Sequence, residues 1–136
     1  MDDSSSISVE KNSENTVSGW LKTLRPTLII RCLENKTDVI FNTGSSFTPV
    51  YGEYNKAKIR YRIDNKNPIT QYWSESTDND AAFAPKAISL IKSLKNSEKL
   101  RIEFNPFNAN PAVAEFDMRG IKIHLEEISK TCNWNL

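Results

Sequence analysis

One histidine, two cysteines and four scattered glycines leave this 136-residue chain few routes to familiar chemistry. Any Ser-His-Asp or Cys-His arrangement must use His124, whose place between Ile123 and Leu125 in a helical pattern is that of a partly exposed surface histidine. Four unclustered glycines cannot form a phosphate-cradling loop, and no GxGxxG, Walker A, HExxH or EF-hand pattern occurs. No window approaches the roughly 18 consecutive apolar residues of a membrane helix. The net charge is only +1, so electrostatics make no case for nucleic acid or an anionic membrane as the main partner. What is present is the composition of a soluble globular domain, 38% apolar and 26% charged, with thirteen aromatic residues (six Phe, four Tyr, three Trp) for a sheet-based core. The length fits one domain spanning residues 1–136.

The two cysteines stand near opposite ends. Cys32 follows the apolar run Leu28-Ile29-Ile30-Arg31, which reads as a buried strand. Cys132 closes a pattern in which Ile121, Leu125, Ile128 and Cys132 fall on one helix face. A strand cysteine and a core-facing helix cysteine are well placed to meet. A bridge would close a loop of about 100 residues, worth roughly 4 to 5 kcal/mol in the chain-entropy account, and would imply an oxidising compartment. The alternative is two buried, reduced cysteines in a cytosolic protein. Two cysteines alone cannot hold zinc, and His124 lies off the cysteine's helix face. Met1 is followed by Asp2, Asp3 and three serines, the reverse of a basic n-region and apolar h-region. The expectation is therefore a cytosolic protein or a mature fragment freed of its export signal, and the cysteines favour the second.

Period-2 alternation dominates the rest. Ser6 to Lys11 is a short half-buried strand, Asn12 to Ser18 a polar turn, and Trp20 to Pro26 a possible strand limited by its proline. Leu28 to Glu34 and Asp38 to Asn42 flank Asn35-Lys36-Thr37 as a hairpin. Asn42 to Tyr54 is a connection with little regular structure. The clearest strand runs from Ala57 to Asp64, with Ile59, Tyr61 and Ile63 on one face and Lys58, Arg60, Arg62 and Asp64 on the other. Ile69 to Ser74 returns after the turn Asn65-Lys66-Asn67-Pro68, carrying Tyr72 and Trp73. Ser76 to Ala82 is polar and then small. Pro85 opens a helix at N1 with Ala87, Ile88, Ile91 and Leu94 as its buried stripe. Leu100 to Phe104 and Ala112 to Met118 alternate as strands around the loop Asn105 to Pro111, and a terminal helix follows Gly120. Strands joined by short turns predict a mainly β fold: a β-sandwich or curled antiparallel sheet with one inserted and one C-terminal helix.

Candidate chemistry is thin. Asp78-Asn79-Asp80 lacks the glycine and distal glutamate of a calcium loop. Asn35-Lys36-Thr37 matches a glycosylation sequon, which has meaning only in a eukaryotic secretory setting. Glu126-Glu127 and Glu115 with Asp117 offer carboxylates, but nothing in their spacing singles out a catalytic pair. Arg31 lies within an otherwise apolar strand and needs a carboxylate or carbonyl if buried, with Asp64 or Asp117 as candidates for a structural ion pair and a ligand-facing arginine as the other reading. The sequence argues against an enzyme, and no cofactor or metal is expected.

Taken in order, Asp2-Asp3-Ser4-Ser5, Pro26-Thr-Leu-Ile-Ile-Arg31-Cys32, Tyr61-Arg62-Ile63-Asp64, Trp73-Ser-Glu-Ser76-Thr77-Asp78, Phe83, Asn105-Pro106-Phe107, Phe116-Asp-Met-Arg-Gly120 and Cys132-Asn-Trp134 resemble the VasI/TagO family of type VI secretion-associated proteins. Relatives of that family also occur among phage and prophage proteins. The resemblance covers nearly the whole chain, from about Met1 to Trp134. It implies a periplasmic or envelope setting, supports a Cys32–Cys132 disulfide, and suggests that Met1 is an internal methionine.

The leading expectation is a non-enzymatic periplasmic or secreted accessory domain that binds a protein of the envelope or secretion machinery. Its working face would carry Arg60, Arg62, Asp64, Tyr72 and Trp73, since aromatic and arginine side chains anchor interfaces, although a tryptophan in such a strand is more often a core residue. The alternative is a secreted inhibitor or immunity-type protein against a cell-wall hydrolase, with the loop Asn105 to Pro111 plugging a cleft. A hydrolase built on Asp78 or Asp117 is the third reading.

Overall fold

The computed structural model describes residues 6–136, so the Asp2-to-Ser5 motif lies outside the described residues. The alternating stretches form β1 (Ser6–Asn12), β2 (Val17–Gly19), β3 (Lys22–Leu24), β4 (Thr27–Leu33), β5 (Lys36–Asn42), β6 (Lys56–Ile63), β7 (Ile69–Glu75), β8 (Ala81–Phe83), β9 (Lys99–Phe104) and β10 (Ala112–Asp117). Helix α1 (Ala87–Leu94) sits between β8 and β9, and α2 (Lys122–Thr131) closes the chain. Eight strands pair antiparallel in one sheet of order β1-β4-β5-β8-β7-β6-β9-β10, with β2 and β3 as a separate hairpin. The mainly β expectation holds, and of its two forms the curled sheet is the one found.

The curl brings the sheet's two ends together without closing a barrel. Just past β1, the Glu14 N–H donates to the Glu115 carbonyl of β10 at 2.7 Å. The Asn15 side-chain amide donates to Val113 O at 2.8 Å and accepts the Glu115 N–H at 2.9 Å. Inside the curl, alternation buries Leu28, Ile30 and Cys32 of β4, Val39 and Phe41 of β5, Ile59 and Tyr61 of β6, Ile102 and Phe104 of β9, and Phe116 of β10. Phe41 meets Phe104 and Phe116 edge-on at 4.9 and 6.3 Å between centroids, a preferred aromatic geometry. Helix α2 lies against β1 and β4 with Ile121, Leu125, Ile128 and Cys132 all buried, as its spacing predicts. Cys132 is disulfide-bonded to Cys32, with 5.7 Å between Cα atoms.

Four local expectations need correction. The hairpin between β4 and β5 turns on Glu34 and Asn35, both at positive φ (51° and 62°), as in a two-residue type I′ turn. Lys36 and Thr37 therefore already belong to the strand. Trp20 to Pro26 is not one strand, because Leu21 at φ 61° turns β2 back into β3. The polar-then-small segment includes β8, whose Ala81 and Ala82 are buried and whose three residues bridge β5 to β7. Helix α1 starts at Ala87 rather than at Pro85, and buries Leu90, Ile91 and Leu94 while Ile88 is exposed.

Candidate functional site

The expected binding face is the outer side of β7, β6, β9 and β10. On β6 the odd positions Ala57, Ile59, Tyr61 and Ile63 point inward, so Lys58, Arg60 and Arg62 are exposed, with the partly exposed Lys56 in line. Residues two apart on a strand repeat every 6 to 7 Å, so this cationic row runs about 20 Å. Antiparallel register sets its neighbours. Tyr72 stands opposite Lys58, Glu103 opposite Arg60, and Arg101 opposite Arg62, while Glu115 and Asp117 of β10 face Arg101 and Lys99. Six basic side chains (Lys56, Lys58, Arg60, Arg62, Lys99, Arg101) thus share the face with three acidic ones (Glu103, Glu115, Asp117).

The charges are unequally answered. Arg60 pairs with Glu103 at 3.3 Å, both half exposed. Glu115 takes both Arg101 (3.2 Å) and Lys99 (3.7 Å). Asp117 is held by the bidentate guanidinium of Arg119 at 2.7 and 2.9 Å. That guanidinium, then the Arg119 backbone N–H, holds the Asp117 carboxyl far below the usual range. Arg62 faces a like charge and donates only to the carbonyls of Lys66 (3.0 Å) and Asn65 (3.5 Å). Among the described residues, neither Arg62 nor Lys58 has a carboxylate partner. Like charges directly opposite on a sheet are unfavourable, so an acidic group arriving from outside would relieve them.

The named residues do not all reach this face. Tyr72 does, with 41% of its surface exposed. Trp73 does not: it is 1% exposed, points into the core, and donates its indole N–H to Gln71 Oε1 at 2.9 Å. Asp64 ends the strand at φ 51°, where its carboxylate accepts the N–H groups of Lys99 (2.8 Å) and Glu98 (2.9 Å). Those two donors hold it below the ordinary aspartate range, and it staples β6 to the start of β9. The expected Arg31–Asp117 ion pair is not formed. Arg31 pairs with Asp38 directly across the β4–β5 hairpin at 3.3 Å, and lies 6.0 Å from the Phe83 ring centroid. Lys99 and Arg101 were not singled out by sequence; the strand alternation that flagged Arg60 marks them too, but only the pairing brings their strand beside it.

The family model described as "Type VI secretion system VasI, EvfG, VC_A0118" matches residues 7–134. The chain belongs to the VasI family. It is a type VI secretion-associated protein, as the order of its motifs suggested. Neither a curated protein nor a solved structure matches it. The VasI match spans both cysteines, so the Cys32–Cys132 bond and the cationic face lie inside the family domain. No helix among the described residues is long and apolar enough to cross a membrane.

Proposed function

We propose that this VasI domain is a non-enzymatic accessory module of the cell envelope that binds a protein of the secretion machinery. Its contact surface is the outer face of β6 and β9, with Arg62, Lys58 and Tyr72 at the centre. The observation that carries the reading is the excess of cations there, with Arg62 opposed to Arg101 and unanswered by any carboxylate among the described residues. Such a surface suits an acidic partner: complementary charge steers encounter and fixes orientation. The disulfide supports an oxidising compartment, since such bonds persist outside the reducing cytosol.

The alternative, an inhibitor of a cell-wall hydrolase, draws on the loop after β9. It is latched by Thr48 N–H to Asn105 O at 2.8 Å and Phe107 N–H to Ser46 O at 2.9 Å, and it presents Phe107 at 43% exposure. Capture from envelope extracts with oxidised protein, beside the same capture with Arg62→Glu, separates the two. Recovery of a secretion component by the parent and its loss with the variant is the expected result. Recovery of a muramidase or amidase by both proteins alike, with inhibition of that enzyme in a separate assay, would favour the alternative.

A further inference from the structure

Alternation on β7 puts Gln71, Trp73 and Glu75 on the inner, apolar side of the sheet, so the strand ends by placing a carboxylate where the core opens to solvent. Burial pushes the Glu75 carboxyl above its ordinary value. No cation or hydrogen-bond donor among the described residues reaches it. Its carboxylate stays open to solvent, since no buried side-chain oxygen among the described residues lacks a partner, and is available to a cation from outside.

Glu75 lines a groove of about 730 Å³ whose apolar walls are Pro49, Val50, Tyr54 and Phe107, and which holds a second carboxylate, Glu53. Lys56 also lines it, but its Nζ is drawn to Ser74 Oγ at 3.0 Å. The loops that carry these walls are tied in place: the Phe107 and Thr48 amides are bonded across the two loops, and Glu53 N–H donates to Val50 O at 3.1 Å. Trp20 packs edge-on to Phe107 at 6.1 Å, and Tyr54 is almost wholly exposed at 96%. Aromatic faces beside carboxylates attract a cation twice over, through the ring quadrupole and through direct charge. The groove exceeds one side chain in volume and includes apolar residues as well as the acids among its walls, which suits residues flanking a central cation better than a small ammonium ion.

The geometry points to a second binding site: an extended segment of a partner polypeptide lies in this groove and seats a Lys or Arg side chain against Glu75 and Glu53, between Tyr54 and Phe107. Apart from Lys56, which borders both, this site is separate from the outer face of β6, and it does not depend on the reading given to that face. It recognises the opposite charge.

The test is selection of a random twelve-residue peptide phage library on the oxidised full chain. Selected sequences are expected to carry a Lys or Arg flanked by apolar residues, and synthetic copies to lose about tenfold in affinity when that residue becomes citrulline or norleucine. The same peptides should lose a comparable factor on Glu75→Gln and on Tyr54→Ala, and bind Arg62→Glu unchanged. Tyr54→Ala guards against misfolding, because that side chain supports nothing beneath it. Selected peptides without a basic residue, peptides that bind Glu75→Gln and Tyr54→Ala as tightly as the parent, or no selected sequence at all would each overturn the proposal.

Discussion

Asn15 behaves toward Glu115 as a neighbouring strand would. Its Oδ1 accepts the Glu115 N–H at 2.9 Å while its Nδ2 donates to Val113 O at 2.8 Å, so one side chain answers two backbone groups of the terminal strand β10. Sheet edges with unpaired groups invite pairing with other chains. Here a turn residue after β1 blunts the edge and fastens the two ends of the curl.

Replacing Asn15 with alanine should therefore cost about 1 to 3 kcal/mol, the usual penalty for orphaning partly buried polar groups. The denaturation midpoint should fall, and the Glu115 amide should exchange faster than its neighbours in β9. An unchanged exchange rate at Glu115 would show that the side chain contributes nothing to closure.

The disulfide ties Cys32 of β4 to the end of α2 across 100 residues of sequence. Protein never exposed to reductant should show no free thiol after unfolding. The paired Cys32→Ala, Cys132→Ala variant should lose up to about 4 to 5 kcal/mol in the chain-entropy account. Two labelled thiols in such protein would remove the oxidising-compartment argument along with the bond.

Much of this architecture follows from local pattern. Strand faces, the α2 stripe and the cysteine placement are all consequences of periods of 2 and 3.6, which a single sequence displays. Arg31 shows where that ends. Placing the hairpin turn at Asn35 to Thr37 shifts the register by three residues and sets Arg31 opposite Phe41. With the turn on Glu34 and Asn35, Arg31 meets Asp38. The error about the turn and the error about the ion pair are thus the same error. Trp73, by contrast, is settled by the period itself: it and Tyr72 alternate, so only one of them can face outward, and Trp73 takes the core reading. The uncompensated charge on Arg62 needs Arg101 beside it, and 39 positions separate them in the chain. Tertiary pairing, which no period reveals, creates that contact.

The faces of β6 have opposite tolerances. Ile59 is fully buried, so Ile59→Asp places an unpaired charge in the core and should unfold the domain or destabilise it severely. Arg60 and Glu103 form an ion pair in which both side chains are half exposed, and such pairs contribute about 0 to 1 kcal/mol. Arg60→Ala should stay within about 0.5 kcal/mol of the parent. Equal midpoints for the two variants would mean the strand is inverted.

Acid stability carries two opposing signatures. Asp64 and Asp117 have folded-state pKa values held below the unfolded value of about 4. The stability they supply is fully present above that value and is lost as pH falls through the depressed folded values. Glu75 is raised instead, so its ionised form opposes folding, and the folded state gains as pH falls through that raised value. Thermal midpoints followed from pH 7 to pH 2 should show Asp64→Asn with a flatter loss below about pH 4. Glu75→Gln should be at least as stable as the parent at pH 7. A lower midpoint for Glu75→Gln at pH 7 would mean that the carboxylate already has a partner.

Charge reversal at Arg62 tests the outer face most directly. Its guanidinium touches only the carbonyls of the turn that follows β6, and it stands opposite Arg101. Arg62→Glu therefore removes a like-charge opposition and two turn contacts together, effects of opposite sign on folding, and the thermal midpoint should move little. On binding the two readings diverge. If an acidic partner docks here, reversal turns attraction into repulsion at the centre of the patch, slows association and weakens the salt dependence of capture. If Arg62 only braces the turn at Asn65 and Lys66, partner retention stays at the parental level and the midpoint falls slightly. Measuring midpoint and retention on the same purified variant separates these cases. An intact fold with unchanged retention across low and high salt excludes Arg62 from the contact surface. Lost retention at a parental midpoint, restored by a compensating acidic-to-basic change in the partner, assigns it there.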